Sequence, residues 1–398
     1  MSVSTDREVV ILSFARTPMA RLNGGLSSLS AAALGAVAIR GALDRAGVPD
    51  SLVDQVLMGQ VVQAGAGQNP ARQAAVAAGL PWTVPATTIN KVCLSGLTAI
   101  IDAARMIRLG EASVVVAGGQ ESMSQAPHLL PGSRRGWTYG DIQAVDSLAF
   151  DGLTDAFDRE SMGSSTERGN KVLSIAREAQ DRVAVESHRR AAAAVQSGVF
   201  AEEIVPVEVP QRRGAPVVVA LDEGIRPETT VDSLASLRPA FSADGTITAG
   251  NASPLTDGAA AVVVAAREVA EAHGLTWLAT VGASGQVAGP DNSLHSQPSA
   301  AISAALGRAG WSLDSVDLLE INEAFGSVVV QSLDDLAYPL DQTNIHGGAI
   351  ALGHPIGASG ARLAGHAAME LARRGQGRAA VALCGGGGQG EALLISRD

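Results

Sequence analysis

The chain repeats itself, and this repeat constrains its fold more than any other feature. Ala42-Leu43-Asp44-Arg45-Ala46-Gly47-Val48-Pro49-Asp50-Ser51-Leu52-Val53-Asp54 reads closely like Ala305-Leu306-Gly307-Arg308-Ala309-Gly310-Trp311-Ser312-Leu313-Asp314-Ser315-Val316-Asp317. In both copies a helical pattern closes on glycine, the residue that best adopts a left-handed cap, and a turn then leads to a buried strand. Further on, Ser95-Gly96 and Ser359-Gly360 recur at nearly the same offset, and each opens an Ala-rich helical pattern. Residues 113–117 and 379–383 follow as strands that run into glycines. Two similar halves predict pseudo-two-fold symmetry. Helices alternating with short Val/Ile/Leu-rich runs predict an α/β fold with buried, mixed sheets layered against helices.

The halves differ at one place. The second passes from Gly385-Gly386-Gly387-Gly388 straight into a final strand, residues 391–395. The first reaches its equivalent, residues 259–264, only after residues 120–254. That segment reads as a mostly irregular insert laid over the repeats, with a loop at 127–139 and a strong helix, Arg177–Gln196, ended by Gly198. The expected division is 1–119 with 255–276 for the first half, 120–254 for the inserted loop subdomain, and 277–398 for the second half.

Composition narrows the function. Aromatics are only 3% of the 398 residues while 45 are glycine, so Ala, Val and Leu must fill the core. A formal net charge of −11 argues against a nucleic-acid partner, because the chain has no general attraction to phosphate. The polar start, residues 1–8, lacks the basic stretch and apolar core of a secretory signal. The longest apolar stretch, near residues 259–266, is too short to cross a bilayer, so no membrane partner is expected. With two cysteines in a chain of this size, the expected location is the reducing cytoplasm.

Those two cysteines sit where a structural thiol would be a poor choice. Cys93 lies where an apolar run breaks into Leu94-Ser95-Gly96 and a helical pattern begins. Cys384 ends an apolar run and opens onto four glycines, which let a ligand approach the backbone. A thiolate is the reactive form of cysteine, and a helix N-terminus behind Cys93 would favour it. His354 is the one histidine of seven in a Gly/Pro-fixed turn flanked by glycines, and so the best base to pair with a thiol. A lone buried cysteine is usually packing; two thiols and an imidazole in turns point to acyl chemistry on sulfur. With Cys93 in one half and His354 and Cys384 in the other, the site is expected between the halves.

Other signals take plainer readings. Gly385-x-Gly387-x-x-Gly390 matches a dinucleotide fingerprint in form, but too few residues remain for the helix that would hold the phosphates. No metal is expected, since the cysteines show no ligand spacing. His188 is read on a solvated helix face with Arg189 and Arg190, His366 within a helix, and His128 as structural or interfacial. Arg134-Arg135 is read as a solvated loop pair.

Asn322-Glu323-Ala324-Phe325, Gly347-Gly348-Ala349-Ile350-Ala351-Leu352-Gly353-His354-Pro355-Ile356-Gly357 and Cys384-Gly385-Gly386-Gly387-Gly388 occur in this order. With Cys93-Leu94-Ser95-Gly96 and the opening Ala15-Arg16-Thr17-Pro18, this set resembles the thiolase family over about residues 8–395. The resemblance implies duplicated halves in five layers, α-β-α-β-α. It implies that Cys93 is the nucleophile acylated by the first acyl-CoA, that His354 is its base, and that Cys384 exchanges a proton with the α-carbon of the second acetyl group. Asn322 would hold a water that, with the His354 ring, forms one oxyanion hole. The backbone N–H groups of Cys93 and Gly386 would form the other. The activity implied is ping-pong acyl transfer and Claisen condensation of two acetyl-CoA to acetoacetyl-CoA plus CoA, or thiolytic cleavage of a 3-ketoacyl-CoA. Coenzyme A would be substrate and product, with no permanently bound cofactor.

For the coenzyme, the resemblance implies a contact from Ser253 to the pantetheine arm and Arg226 beside the adenine. Leu153, Met162, Phe241, Ala249 and Phe325 would wall the tunnel. It also implies a homo-oligomer, dimer or tetramer, with the tetramer favoured because residues 124–146 resemble the loop that ties dimers together. Two positions depart from the family pattern: Ser161 stands where short-chain members usually have His, and His346 where the family usually has Asn. The competing readings are a degradative thiolase of longer chain preference, a decarboxylating condensing enzyme, which would lack the second cysteine, and a non-catalytic acyl-CoA or lipid-binding relative.

Overall fold

The computed structural model describes residues 7–398; of the polar start read above, residues 1–6 lie outside them. The first half runs β1 (Val9–Arg16), β2 (Ala20–Arg21), α1 (Ala31–Ala46), β3 (Gln55–Gly59), α2 (Pro70–Ala77), β4 (Ala86–Ile89), α3 (Ser95–Arg108) and β5 (Val114–Glu121). The insert adds β6 (His128–Leu129), β7 (Val145–Asp146), α4 (Met162–Leu173), α5 (Arg177–Gln196), β8 (Val207–Val209), β9 (Val217–Val219) and α6 (Val231–Ala235). The first half then resumes with β10 (Thr256–Ala266) and α7 (Arg267–Ala272). The second half runs β11 (Ala279–Ala288), α8 (Gln297–Ala309), β12 (Leu318–Ile321), α9 (Gly326–Leu336), α10 (Ala349–Leu352), α11 (Ser359–Arg374), β13 (Gly377–Gly385) and β14 (Gln389–Arg397). The insert is more ordered than its sequence suggests, because α4 precedes the expected helix.

The repeat is visible in the pairing. In the first half β3 is parallel to β4 and β5, and β10 runs antiparallel to both β5 and β1. In the second, β12 is parallel to β13, and β14 is antiparallel to both β13 and β11. The counterpart of β4 shrinks to a single bridge between Leu319 and Thr343. The two sheets touch where β1 meets β11, at Val10–Thr280 and Ile11–Ala279. Both repeat helices stop as expected, with Gly47 at φ 63° and Gly310 at φ 66°.

Strand alternation sorts side chains into layers. Val115, Ala117, Val262 and Val264 face inward with Val381, Leu383, Leu393 and Ile395, around α3 and α11. Val114, Val116, Ala261 and Val263 face outward beneath α1 and α2. On the far side Ala380, Ala382, Ala392 and Leu394 lie under Ile302 and Ala305 of α8. The result is helices, sheet, the central pair α3 and α11, sheet, helices. Those two central helices begin against each other. A Cβ on Gly96 would meet the Gly357 carbonyl oxygen at 2.9 Å, and one on Gly360 would meet Leu97 N at 2.4 Å. The repeated Ser-Gly pair is thus the point where both helix starts cross, which brings the Cys93 loop and the His354 turn together.

The Ala15-Arg16-Thr17-Pro18 segment fastens the insert to this core. Arg16, fully buried, donates to Glu203 at 3.0 Å and to both oxygens of Asp222 at 2.7 and 2.9 Å.

Candidate active site

Cys93 lies beyond the end of β4, on a loop rather than at the strand end itself, and directly precedes α3. The loop is strained: Val92, a β-branched residue, sits at φ 51°, a region such side chains avoid. Local hydrogen bonds hold it there. Val92 N donates to Asn90 Oδ1 at 3.1 Å, Lys91 N to Ser95 Oγ at 2.8 Å, and Ser95 Oγ to the Val92 carbonyl at 2.6 Å. The Lys91 ammonium reaches across to Glu391 of β14 at 2.9 Å. Cys93 retains partial exposure.

Burial pushes the Cys93 thiol up to about 12, against the pull of the backbone N–H groups of Gly386 and of Cys93 itself. A Cβ at Gly386 would lie 3.3 Å from a Val92 methyl and 3.7 Å from the Met162 sulfur, so a side chain there would crowd the approach. Cys384, at the end of β13, is buried, and its thiol is raised by burial and by Cys93 opposite it. The glycines lead into β14 with no helix after them, so they are not a dinucleotide cradle.

His354 sits in the turn before α11. Its Nδ1 is 2.6 Å from Ser359 Oγ, and that hydroxyl donates to the Pro355 carbonyl at 3.1 Å. A hydroxyl that donates there accepts from Nδ1–H, which leaves Nε2 without a proton and able to act as a base. Asn322, at the end of β12, directs its amide nitrogen to Nε2 at 3.3 Å, while its buried Oδ1 has no partner among the described residues. Burial, reinforced by the Arg362 charge, pushes His354 down to about 3. The resting site is therefore a neutral thiol and a neutral imidazole.

The residues expected at the coenzyme gather unevenly around this centre. Leu153 packs with Cys93, Val61, Val62, Leu148 and Ile356. Met162 and Phe325 pack with Cys384, Ile247 and Leu294. Phe241 meets Phe325 edge-on with ring centroids 6.3 Å apart. Ser253 donates from both N and Oγ to the Ala324 carbonyl, each at 3.1 Å. Ala249 and Arg226 are exposed and belong to neither apolar cluster. A groove of about 610 Å³ between α5 and α9, lined by Val183, Val330, Leu333 and Tyr338, contains none of these residues.

One histidine reading changes, and the family departure at His346 gains a structural account. His188 is buried rather than solvated; it accepts from Arg226 N at 3.2 Å, and burial pushes it down to about 4. His346 lies 3.1 Å from His366, whose other nitrogen bonds buried Glu203, so the imidazole extends an internal polar chain. Ser359, Thr256, whose hydroxyl accepts from His354 N at 3.1 Å, and Glu121 were not singled out from sequence as site residues. Ser359 stood out only as half of the repeat.

Comparison with known proteins decides the lineage. Residues 9–268 match the family described as thiolase, N-terminal domain, and 275–397 match thiolase, C-terminal domain. This chain belongs to the thiolase family. Among thiolase relatives, it is 58% identical over 388 residues to a probable acetyl-CoA acetyltransferase of Mycolicibacterium smegmatis, covering 98% of this chain and 100% of that one. It is 49% identical to the acetyl-CoA acetyltransferase of Cupriavidus necator, covering 98% and 99%. In structure it resembles two thiolases, each with a TM-score of 0.94 and 39% identity. These are the Bacillus anthracis acetyl-CoA acetyltransferase, with 98% of each chain covered, and human mitochondrial 3-ketoacyl-CoA thiolase, with 98% and 99% covered. In this thiolase the Ser161 side chain serves its own helix, where its Oγ caps α4 by accepting from Ser164 N at 3.1 Å.

Among the described residues no helix is long and apolar enough to cross a membrane, and no group of three or more His, Cys, Asp or Glu is placed to hold a metal ion.

Proposed function

We infer that this protein is a thiolase-type acyltransferase that joins two acetyl-CoA to acetoacetyl-CoA and CoA, or runs the reverse thiolysis. The observation that carries the reading is the meeting of two thiols, each from one half of the chain, with an imidazole held between Asn322 and Ser359. In the first step Cys93 Sγ attacks the thioester carbonyl as its proton passes to His354 Nε2. The N–H groups of Cys93 and Gly386 receive the developing oxyanion, and CoA leaves with the proton of Cys384, which becomes a thiolate while His354 keeps the proton on Nε2. In the second, Cys384 as thiolate takes an α-proton from acetyl-CoA. The enolate oxygen is held by Nε2–H of His354 and the water on Asn322, its carbon attacks the acyl-Cys93 carbonyl, and the Cys93 sulfur is expelled and takes its proton back from His354.

The preorganised donors matter because both thiols are raised by burial. Neither ionises in water-like fashion, so charge forms only as the donors or the imidazole meet it. Coenzyme A would lie along Ser253, Met162, Phe241, Ala249, Leu153 and Phe325 with Arg226 at its outer end, the insert 120–254 acting as the grip and oligomer contact. A cytoplasmic homo-oligomer, tetramer favoured, fits this reading. Ser161 supports a second reading with longer 3-ketoacyl chains, since a small cap stands where a ring would fill space.

The test follows loss of the ketothioester when protein, acetoacetyl-CoA and CoA are mixed. Absence of turnover on this and on longer 3-ketoacyl-CoA would refute the reading. Cys93→Ser should not form an acyl-enzyme, whereas Cys384→Ser should still be labelled by acetyl-CoA but condense poorly. Equal labelling would show that the two roles are misassigned. Ser161→His should narrow the chain-length range.

A further inference from the structure

Glu121 closes β5 with a carboxylate that is wholly buried and, among the described residues, touches no cation. Its oxygens are fully engaged all the same. Oε1 accepts from Val62 N at 3.1 Å, and Oε2 accepts from Val61 N at 3.0 Å and from Gly357 N at 2.9 Å. The three donors come from opposite halves of the chain. Val61 and Val62 belong to the loop after β3, and their side chains pack with Cys93. Gly357 ends the His354-Pro355-Ile356-Gly357 turn, and Ile356 packs in the same cluster. The approach is tight: a Cβ on Gly357 would stand 2.9 Å from both the Gln60 Cα and Glu121 Oε2.

A buried carboxylate without a cation is costly, and backbone donors offset only part of that cost. Burial pushes Glu121 up to about 7, and Asp257 on β10 adds to the effect. Glu121 in turn opposes ionisation of Cys93. An apolar residue could fill this space, but it could not receive three N–H groups from both sides of the site. We propose that Glu121 is a positioning residue for acyl transfer: its single carboxylate ties the Val61–Val62 wall beside Cys93 to the His354–Gly357 turn and so sets how thiol and imidazole meet. The proposal rests on the assignment of Cys93 and His354 given above.

Two predictions separate positioning from general support. In Glu121→Gln an amide N–H₂ must face a backbone donor, so wall and turn shift apart; Glu121→Asp keeps the charge with a shorter reach. Acetyl transfer from acetyl-CoA to Cys93 should slow at least about tenfold in Glu121→Gln with little change in KM, because small misplacements of reacting groups act on the chemical step. The second readout is alkylation of Cys93 by iodoacetamide against pH, in a Cys384→Ser background where Cys93 is the sole thiol. Loss of the like charge should move the alkylation midpoint to lower pH in Glu121→Gln, while Glu121→Asp keeps the wild-type midpoint and recovers part of the rate.

The proposal is overturned if Glu121→Gln is acetylated as fast as wild type, or if both variants shift the midpoint equally, which is the mark of a merely loosened site. Should Glu121→Gln fail to fold, Glu121→Asp decides alone, and an unchanged acetylation rate in it overturns the proposal. Failure of the wild type to be acetylated would instead refute the acyl-transfer reading, with the alkylation profiles still judging Glu121.

Discussion

Replacing Ser359 by alanine tests the mechanism at its least conspicuous part. Ser359 is 1% exposed, and its hydroxyl carries two bonds: it accepts from His354 Nδ1 at 2.6 Å and donates to the Pro355 carbonyl at 3.1 Å. Removing it leaves the buried Nδ1–H unpaired, a loss of about 1–3 kcal/mol, while the Pro355 carbonyl keeps the backbone N–H groups of Ala358 and Ser359. The same energy sets the tautomer. Without an acceptor the Nδ1–H form loses its advantage, by a factor of about 5 to 150 at 1.4 kcal/mol per decade. The Nε2–H form then competes, and it cannot take a proton from Cys93. Acetyl-enzyme formation should fall roughly 10- to 100-fold while KM for acetyl-CoA holds, since Ser359 touches no expected coenzyme residue. Rapid-quench labelling with radioactive acetyl-CoA measures the rate, and urea unfolding measures the stability loss. A variant that is less stable yet acylates within about twofold of wild type would refute the tautomer argument.

Three further outcomes follow from the packing. Gly119→Ala should strongly destabilise the protein, because the added Cβ would stand 1.9 Å from the Gly357 carbonyl oxygen, whereas Gly307→Ala, on the exposed face of α8 with nothing among the described residues within 4 Å, should stabilise by about 0.5–1 kcal/mol; thermal unfolding of both variants checks the contrast. Arg16→Met should cost about 3–5 kcal/mol in denaturant unfolding, since it takes from Asp222 its buried cation and leaves Glu203 to His366 and Arg373. Burial lowers the His366 pKa, but Glu203 overrides it and the net shift is upward. The stability His366 contributes is thus full below its ordinary value near 6.5 and fades as pH rises through the raised one. The urea-midpoint gap between wild type and His366→Gln should shrink from about pH 6 to pH 9, and a constant gap would show that the pair carries no such charge.

Much of this was legible in the chain because it lies in local pattern. The repeat, the glycine stops at Gly47 and Gly310, the helix starts at Ser95 and Ser359, and the strands that run into glycines all appear where the residues suggest. Cys93, His354, Asn322 and Cys384 could be named from motifs, since each sits in a short segment whose composition is itself unusual. What failed was burial. His188 lies on α5 beside Arg189 and Arg190, yet a later stretch of the insert covers it, and no local signal reports a cover that arrives from residue 226.

Sequence alone therefore determined the architecture and the order of its elements, and it named the candidate reacting groups, because backbone propensity and strand or helix period act over a few residues. Only the tertiary structure decided what state those groups are in. The neutral imidazole, the raised thiols, the tautomer set by Ser359 and the Glu121 clasp all depend on desolvation and on donors contributed from distant segments. Electrostatics in a buried site is a sum over neighbours in space, and the chain order does not list them.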